Sequence, residues 1–228
     1  MKVFVTGATG FVGRNLVGAL AHRFGHDLHV TALHRTTSPT ELLAPFASVE
    51  CVPGDVTDPD AVRRAMPSDV DVVYHVAADV GFWHGHRRRQ HAINVEGTRH
   101  VVAAARERGA RRFVHVSSIA AYAPQHGDVL VETMARRPER HWIAYVATKW
   151  AAERVVLDAA AEGFPAVVVQ PGNILGPGDA RNWAQLFWRM QRGEVPGVPP
   201  GGAPWCHVES VVQAMLAAAA HGVPGERF

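Results

Sequence analysis

Near the amino terminus, the stretch Val3-Phe4-Val5-Thr6-Gly7-Ala8-Thr9-Gly10-Phe11-Val12-Gly13 restricts the folds open to this chain more than any other segment. An apolar, β-branched run leads into three glycines spaced G-x-x-G-x-x-G, and residues 11–23 beyond them are amphipathic. The order is strand, tight turn, helix start. Gly7 permits the turn, Gly10 lets the backbone approach a pyrophosphate, and Gly13 allows close packing of helix on strand. The helix start adds free N–H groups and the positive end of its dipole, which suit phosphate. Thr9, Phe11 and Val12 complete the candidate phosphate-binding set. Three glycines alone are a weak signal; their place between a strand and a helix gives them weight.

The rest of the chain repeats the alternation. Strand-like runs at residues 2–6, 28–34, 49–52, 70–76, 113–117 and 166–170 lack polar alternation, as strands covered on both faces do. Helix-like stretches lie at 11–23, 59–65, 90–108 and 144–162, the third stopped by Gly109. This predicts an α/β, doubly wound Rossmann sheet of parallel strands flanked by helices. Residues 1–175 read as the dinucleotide-binding domain and 176–228 as a partial substrate-binding region, rich in Pro and Gly around helices at 183–191 and 209–220. Arg227-Phe228 reads as the opening of a further strand.

At 228 residues the chain can bury one substantial core. A net charge of +2 with scattered basic residues gives no reason to expect nucleic acid, and Arg87-Arg88-Arg89 reads as a solvated loop or helix start. Cys51 and Cys206 have neither pairing pattern nor metal-type spacing, which fits a reducing compartment, with Cys51 expected as a buried thiol. No apolar stretch is long enough to span a bilayer, and Met1-Lys2 runs straight into the first strand, so a cytoplasmic protein is expected. His84-Gly85-His86 with His91 lacks an accompanying carboxylate or thiol, so no metal is expected.

Ser117-Ser118 closes the fifth strand, and Tyr145-Val146-Ala147-Thr148-Lys149 follows on a helix. Residues four apart share a helix face. A phenol titrates near about 10, so a nearby ammonium that stabilises phenolate makes the tyrosine a working acid–base group. The chain holds only two lysines, which makes Lys149 at this spacing conspicuous. Ser118, Tyr145 and Lys149 are therefore the candidate catalytic residues. Ser118 is expected to hold the substrate oxygen and Lys149 to grip the nicotinamide ribose. The second strand ends Ala32-Leu33-His34-Arg35-Thr36 with no acid for a ribose 2′-hydroxyl. Arg35 can pair with a 2′-phosphate, which favours NADP over NAD.

The threonine-led glycine turn, Gly54-Asp55-Val56-Thr57-Asp58, His75-Val76-Ala77-Ala78 and Asn94-Val95-Glu96-Gly97-Thr98 together resemble the extended short-chain dehydrogenase/reductase superfamily, the NAD-dependent epimerase/dehydratase family. The resemblance implies that Asp55, beside Val56, faces the adenine, and that Val76, Ala77 and Ala78 flank the cofactor. It also implies that Ser117, Tyr145, Lys149, Pro171, Asn173 and Ile174 contact the cofactor. Ile119-Ala120 follow Ser118 where the family's dehydratases carry an Asp-Glu pair, which argues against water elimination. His141-Trp142-Ile143-Ala144-Tyr145 is similar to the dihydroflavonol reductase-like group. A carbonyl reductase or alcohol dehydrogenase acting on a small molecule is thus expected. The alternatives are a nucleotide-sugar epimerase and a catalytically impaired dinucleotide sensor, and a homodimer is the assembly to test. His207-Val208-Glu209-Ser210-Val211 departs from the family's H-V-x-D-V by placing Ser210 at the acid, which puts the cap of the last helix in question. Phe82 and Trp83 are candidates to line the substrate pocket, whereas Trp183, Phe187 and Trp188, at helical spacing, read as core or as a docking face.

Overall fold

Strand β1 (Lys2–Thr6) sends Val3 and Val5 to one face and Phe4 to the other, and all three are fully buried. Such a strand needs a helical layer on each side. The computed structural model, which describes residues 1–81, 83–125, 127–134, 138–180, 182–197 and 201–228, supplies both layers. β1 lies inside a parallel sheet with β2 (His29–His34), β3 (Val49–Pro53), β4 (Val72–His75), β5 (Phe113–Val116) and β6 (Ala166–Val169), in the order β3-β2-β1-β4-β5-β6. Val3 pairs with Val30 on one side and Val72 on the other. The order reverses between β1 and β4, and such a switch point opens a crevice at the carboxyl ends of the strands.

On the Val3 face pack α1 (Phe11–Phe24) and α7 (Val208–His221), through Leu16, Val17, Leu20, Val212 and Met215. On the Phe4 face pack α2 (Pro59–Ala65), α4 (Gly97–Glu107) and α5 (Ala144–Ala161), through Val62, Val101, Ala105 and Val156. Each fully buried Val, Leu or Phe contributes about 1.5–3 kcal/mol. Segment 176–228 thus sends α7 into the same core as the amino-terminal strand. Asp58 caps α2, accepting from the N–H groups of Asp60 and Ala61 at 2.9 and 3.0 Å.

One expected helix differs. In place of an unbroken helix over 90–108, a short α3 (Arg87–Gln90) leads into a π-helical stretch, His91–Glu96, and only then into α4. The tertiary structure explains the wider turn. Gly97 backs onto Val56, where a β-carbon would lie 2.8 Å from Cγ2. Asn94 turns the other way, accepting from Asp79 N–H at 2.7 Å and donating to Asp79 C=O at 3.0 Å and Thr148 Oγ at 3.1 Å. π turns accommodate such a change of facing.

At the other end of the sheet, residues 226–228 run parallel beside β6. Val168 N–H donates to Glu226 C=O and Phe228 N–H to Val168 C=O, both at 3.0 Å, and Gln170 N–H donates to Phe228 C=O at 2.7 Å. Where a strand was expected to open, Arg227 forms a single parallel bridge with Val168. A small parallel pair, β7 (Asn173–Leu175) and β8 (Trp205–His207), lies apart from the main sheet. The last helix is capped despite Ser210: the His207 ring nitrogen Nδ1 accepts from Glu209 N–H at 3.3 Å.

The core reading of Trp183, Phe187 and Trp188 does not hold. Helix α6 (Ala184–Gln191) buries none of its residues, and these three rings are exposed, Trp183 meeting Trp205 edge-on at 4.8 Å. Cys51 is half-buried rather than enclosed. Trp83 is exposed, and Phe82 lies outside the described residues. Among the described residues no helix is long and apolar enough to cross a membrane.

Candidate active site

The three glycines of the first turn have different reasons to be glycine. Gly7 has φ of 72°, and a β-carbon there would sit 2.7 Å from Ala77 N, so both conformation and the end of β4 forbid one. At Gly13 the β-carbon would lie 2.1 Å from Gly7 C=O, because α1 packs directly on the turn. Gly10 is different. Its φ and ψ of −79° and 174° suit any residue, and a β-carbon would meet only Gly7 C=O, at 3.2 Å. The fold itself scarcely needs Gly10 bare, and its bareness leaves open ground in front of the turn. Helix α1 begins there with no side-chain cap and no acid in its first turn, which leaves its amino end suited to phosphate. The turn therefore fits a dinucleotide pyrophosphate, with Thr9, Phe11 and Val12 beside it.

Beneath the turn, a buried row of hydrogen bonds fixes the end of β4. Ala77 N–H donates to Thr6 Oγ at 3.3 Å, and Thr6 Oγ meets His75 Nδ1 at 2.7 Å. His75 Nε2 meets Thr98 Oγ at 2.9 Å, and Thr98 donates to Asn94 C=O at 2.6 Å. The last donor sets the polarity of the whole row: His75 donates through Nε2 and accepts through Nδ1. Burial, aided by Lys149, pushes His75 down to about 3, so it is neutral. His115 stacks on it at 5.3 Å and is held well below the ordinary histidine value, again chiefly by burial.

At the carboxyl end of β5, Ser118 and Tyr145 are hydrogen-bonded through their side chains. Lys149, one turn along α5 from Tyr145, is buried and donates to Val116 C=O at 2.8 Å. Burial pushes the Tyr145 phenol above its ordinary value and the Ser118 bond opposes it only in part. Lys149 itself falls to about 8 through burial, with the Glu153 carboxylate resisting the fall. The resting tyrosine is thus a neutral phenol, which is a proton donor.

Sequence reasoning missed Glu153, the next residue on the same stripe; extending the four-residue spacing from 145 and 149 finds it. Its buried carboxylate accepts from Ser117 Oγ at 2.6 Å and from Gln170 Nε2 at 2.8 and 3.0 Å. Tyr122 Oη donates to Gln170 Oε1 at 2.7 Å, and Arg227 lies 3.7 Å from Glu153 and over the Tyr122 ring. Asn94, quoted in the sequence only as part of a helix signature, ties the loop after β4 to α5.

Gly7–Gly13, Val76–Ala78, Ser117, Ser118, Tyr145 and Lys149 thus gather where β1, β4 and β5 end. Arg35 and Asp55 lie farther along the same edge, after β2 and β3, their loops joined by Gly54 N–H to His34 C=O at 2.8 Å. Arg35 is exposed; Asp55 Oδ1 accepts from the N–H and hydroxyl of Thr57, both at 2.9 Å. Pro171 accepts from Ile119 N–H at 3.1 Å, which joins the loops after β5 and β6, whereas Asn173 and Ile174 belong to β7. A groove of about 920 Å³ between α1 and α7 includes none of the candidate catalytic residues.

A six-stranded parallel sheet in this order, with a glycine turn at its switch point, defines a Rossmann fold. The chain belongs to the NAD dependent epimerase/dehydratase family, whose model matches residues 3–228. That family consists of NAD-dependent enzymes. A 4-hydroxy-2-methyl-3-oxo-4-farnesyl-3,4-dihydroquinoline-1-oxide ketoreductase of Stigmatella aurantiaca is 34% identical over 237 residues, which cover 100% of this chain and 67% of that protein. A putative dihydroflavonol 4-reductase of Synechocystis is 32% identical, over 94% of this chain and 62% of its own length. The crystal structure of gox2253 superposes with a TM-score of 0.89 at 32% identity, covering 99% of this chain and 68% of that one. The chain therefore spans roughly two thirds of the length of these relatives.

Proposed function

We propose that the protein is a carbonyl reductase, able to run in reverse as an alcohol dehydrogenase, in which Tyr145 passes the proton. The observation that carries this is the neutral Tyr145 phenol bonded to Ser118, with Lys149 one turn away at the switch-point edge. A ketoreductase among the relatives supports the same direction. The nicotinamide cofactor, when bound, supplies the hydride. Ser118 holds the substrate oxygen by hydrogen bond, Tyr145 donates its hydroxyl proton to that oxygen, and Lys149 holds the ribose and stabilises the phenolate left behind. Residues 1–175 carry the cofactor in this scheme and 176–228 begin the substrate side. A cytoplasmic setting and a homodimer go with the proposal.

Arg35, exposed at the end of β2 with no acid beside it in sequence, favours NADP over NAD. The test is consumption of NADPH and NADH against a panel of aldehydes, ketones and nucleotide sugars. Reduction of a carbonyl compound is expected. Conversion of a nucleotide sugar without net cofactor consumption indicates an epimerase. In the same assay Arg35→Ala is expected to weaken NADPH binding about ten- to a few-hundredfold, equivalent to about 1.5–3 kcal/mol for a charged hydrogen bond, and to leave NADH unaffected. Equal losses for both cofactors refute 2′-phosphate recognition by Arg35.

A further inference from the structure

We propose that Glu153 is a positioning residue for the Ser118–Tyr145–Lys149 site, holding the end of β5 through Ser117 and supplying the counter-charge that keeps the Lys149 ammonium in place. The functional weight of this assignment rests on the reductase reading of that site.

The geometry is specific. Tyr145, Lys149 and Glu153 recur every fourth residue on α5, so they form one stripe along the helix. The stripe meets the last residue of β5 and the two that follow it: Lys149 donates to Val116 C=O, Ser117 donates to Glu153, and Ser118 bonds Tyr145. Glu153 is 4% exposed. A buried carboxylate is costly unless its oxygens are satisfied. Here Ser117 and Gln170 satisfy them by hydrogen bonds, and Arg227 approaches from the carboxyl-terminal segment beside β6. An ionic group fixed this firmly at the foot of the stripe orients its neighbours and sets the local field.

The other groups around Lys149 do not provide that counter-charge. From β4 and β5 come His75 and His115, both held neutral by burial, so neither supplies a negative charge. The turn Ile119–Tyr122 offers the Tyr122 phenol, raised by burial. The π-helical stretch offers Asn94, which bonds Thr148. Farther off, Arg87 of α3 reaches His141 C=O, Arg89 pairs with Asp79, and Arg106 of α4 pairs with Glu162. Among these groups only Glu153 acts to keep Lys149 charged, and it opposes the burial that drives Lys149 down.

The chain has two lysines, so uniform [¹³C]lysine labelling gives two side-chain resonances, and Lys2→Arg assigns them. In the wild type Lys149 is expected to titrate near about 8. Glu153→Gln keeps an oxygen for the Ser117 hydroxyl and removes the charge. The Lys149 midpoint is then expected to fall by about one unit, because the one charge that opposes burial of the ammonium is gone. Glu153→Asp, which keeps the charge but draws it back by one methylene, is expected to lower the midpoint by less. If Glu153→Gln does not fold, Glu153→Asp decides. A Lys149 midpoint that stays at the wild-type value in every folded variant overturns the assignment. A purely structural role for Glu153 predicts that result, with lower thermal stability and no change in titration. The measurement needs neither substrate nor cofactor, so its failure is distinct from failure of the reductase proposal, which the substrate panel reads.

Discussion

Tyr145→Phe is expected to lower turnover of an authentic carbonyl substrate by about 10²–10⁴, the usual contribution of a positioned acid–base group. The substitution removes one hydroxyl and keeps the ring. The packing of α5 on β5 therefore survives, and Ser118 still holds its cap on Ala120 N–H at 3.2 Å. Dinucleotide affinity should change little, because Lys149 is untouched. The loss should appear in kcat more than in KM. Full activity in the variant on a substrate that the wild type reduces excludes Tyr145 as the proton donor. A companion titration checks the resting state. Tyr74, Tyr122 and Tyr145 are all raised by burial, so the ligand-free protein is expected to form tyrosinate only above the ordinary value of about 10. Tyrosinate absorbance at neutral pH before any cofactor is added would contradict the burial argument.

Gly10→Val should abolish dinucleotide binding while leaving a folded protein. Of the three turn glycines, only Gly10 has room for a β-carbon with a shift of a few tenths of an ångström and a backbone conformation any residue adopts. Gly7 and Gly13 are unsuitable for this test, because substitution at either strikes backbone and damages the fold. The valine branches would occupy the ground in front of the first turn of α1, where a pyrophosphate comes into contact. Calorimetric titration with NADPH and NADH, beside a thermal melt, separates the two effects. A wild-type melt without binding supports the cradle; wild-type affinity removes it.

Much of this was legible in the sequence because it is local. The strand runs, the glycine turn and the Tyr145–Lys149 spacing each depend on residues within a few positions of one another. What escaped is set by tertiary contacts. The π-helical stretch arises because Gly97 must lie against Val56 while Asn94 faces Asp79, and neither partner lies nearby in the chain. The Tyr145 phenol is raised because the folded chain buries it, and Lys149 turns to Val116 C=O, neither of which spacing on a helix reveals. Trp183, Phe187 and Trp188 have the periodicity of a core helix, yet α6 finds nothing to cover it among the described residues. Glu153 was within reach of the pattern, since it continues a stripe already noticed.

The stacked histidines beneath the glycine turn make the sheet vulnerable to acid. A group whose folded value is depressed stabilises the protein above its unfolded value and withdraws that stability as the pH falls toward the folded one. His75 is held at about 3 and His115 well below its ordinary value, whereas both recover values near about 6.5 on unfolding. Below about pH 6.5 each therefore draws the equilibrium toward the unfolded chain, by up to about 1.4 kcal/mol per pH unit per histidine. Denaturant melts between pH 7 and pH 4 should show a steep acid-side decline in stability, reduced when His115 is replaced by an apolar side chain of similar size. Endurance in acid should thus be limited at the centre of the sheet, under the glycine turn.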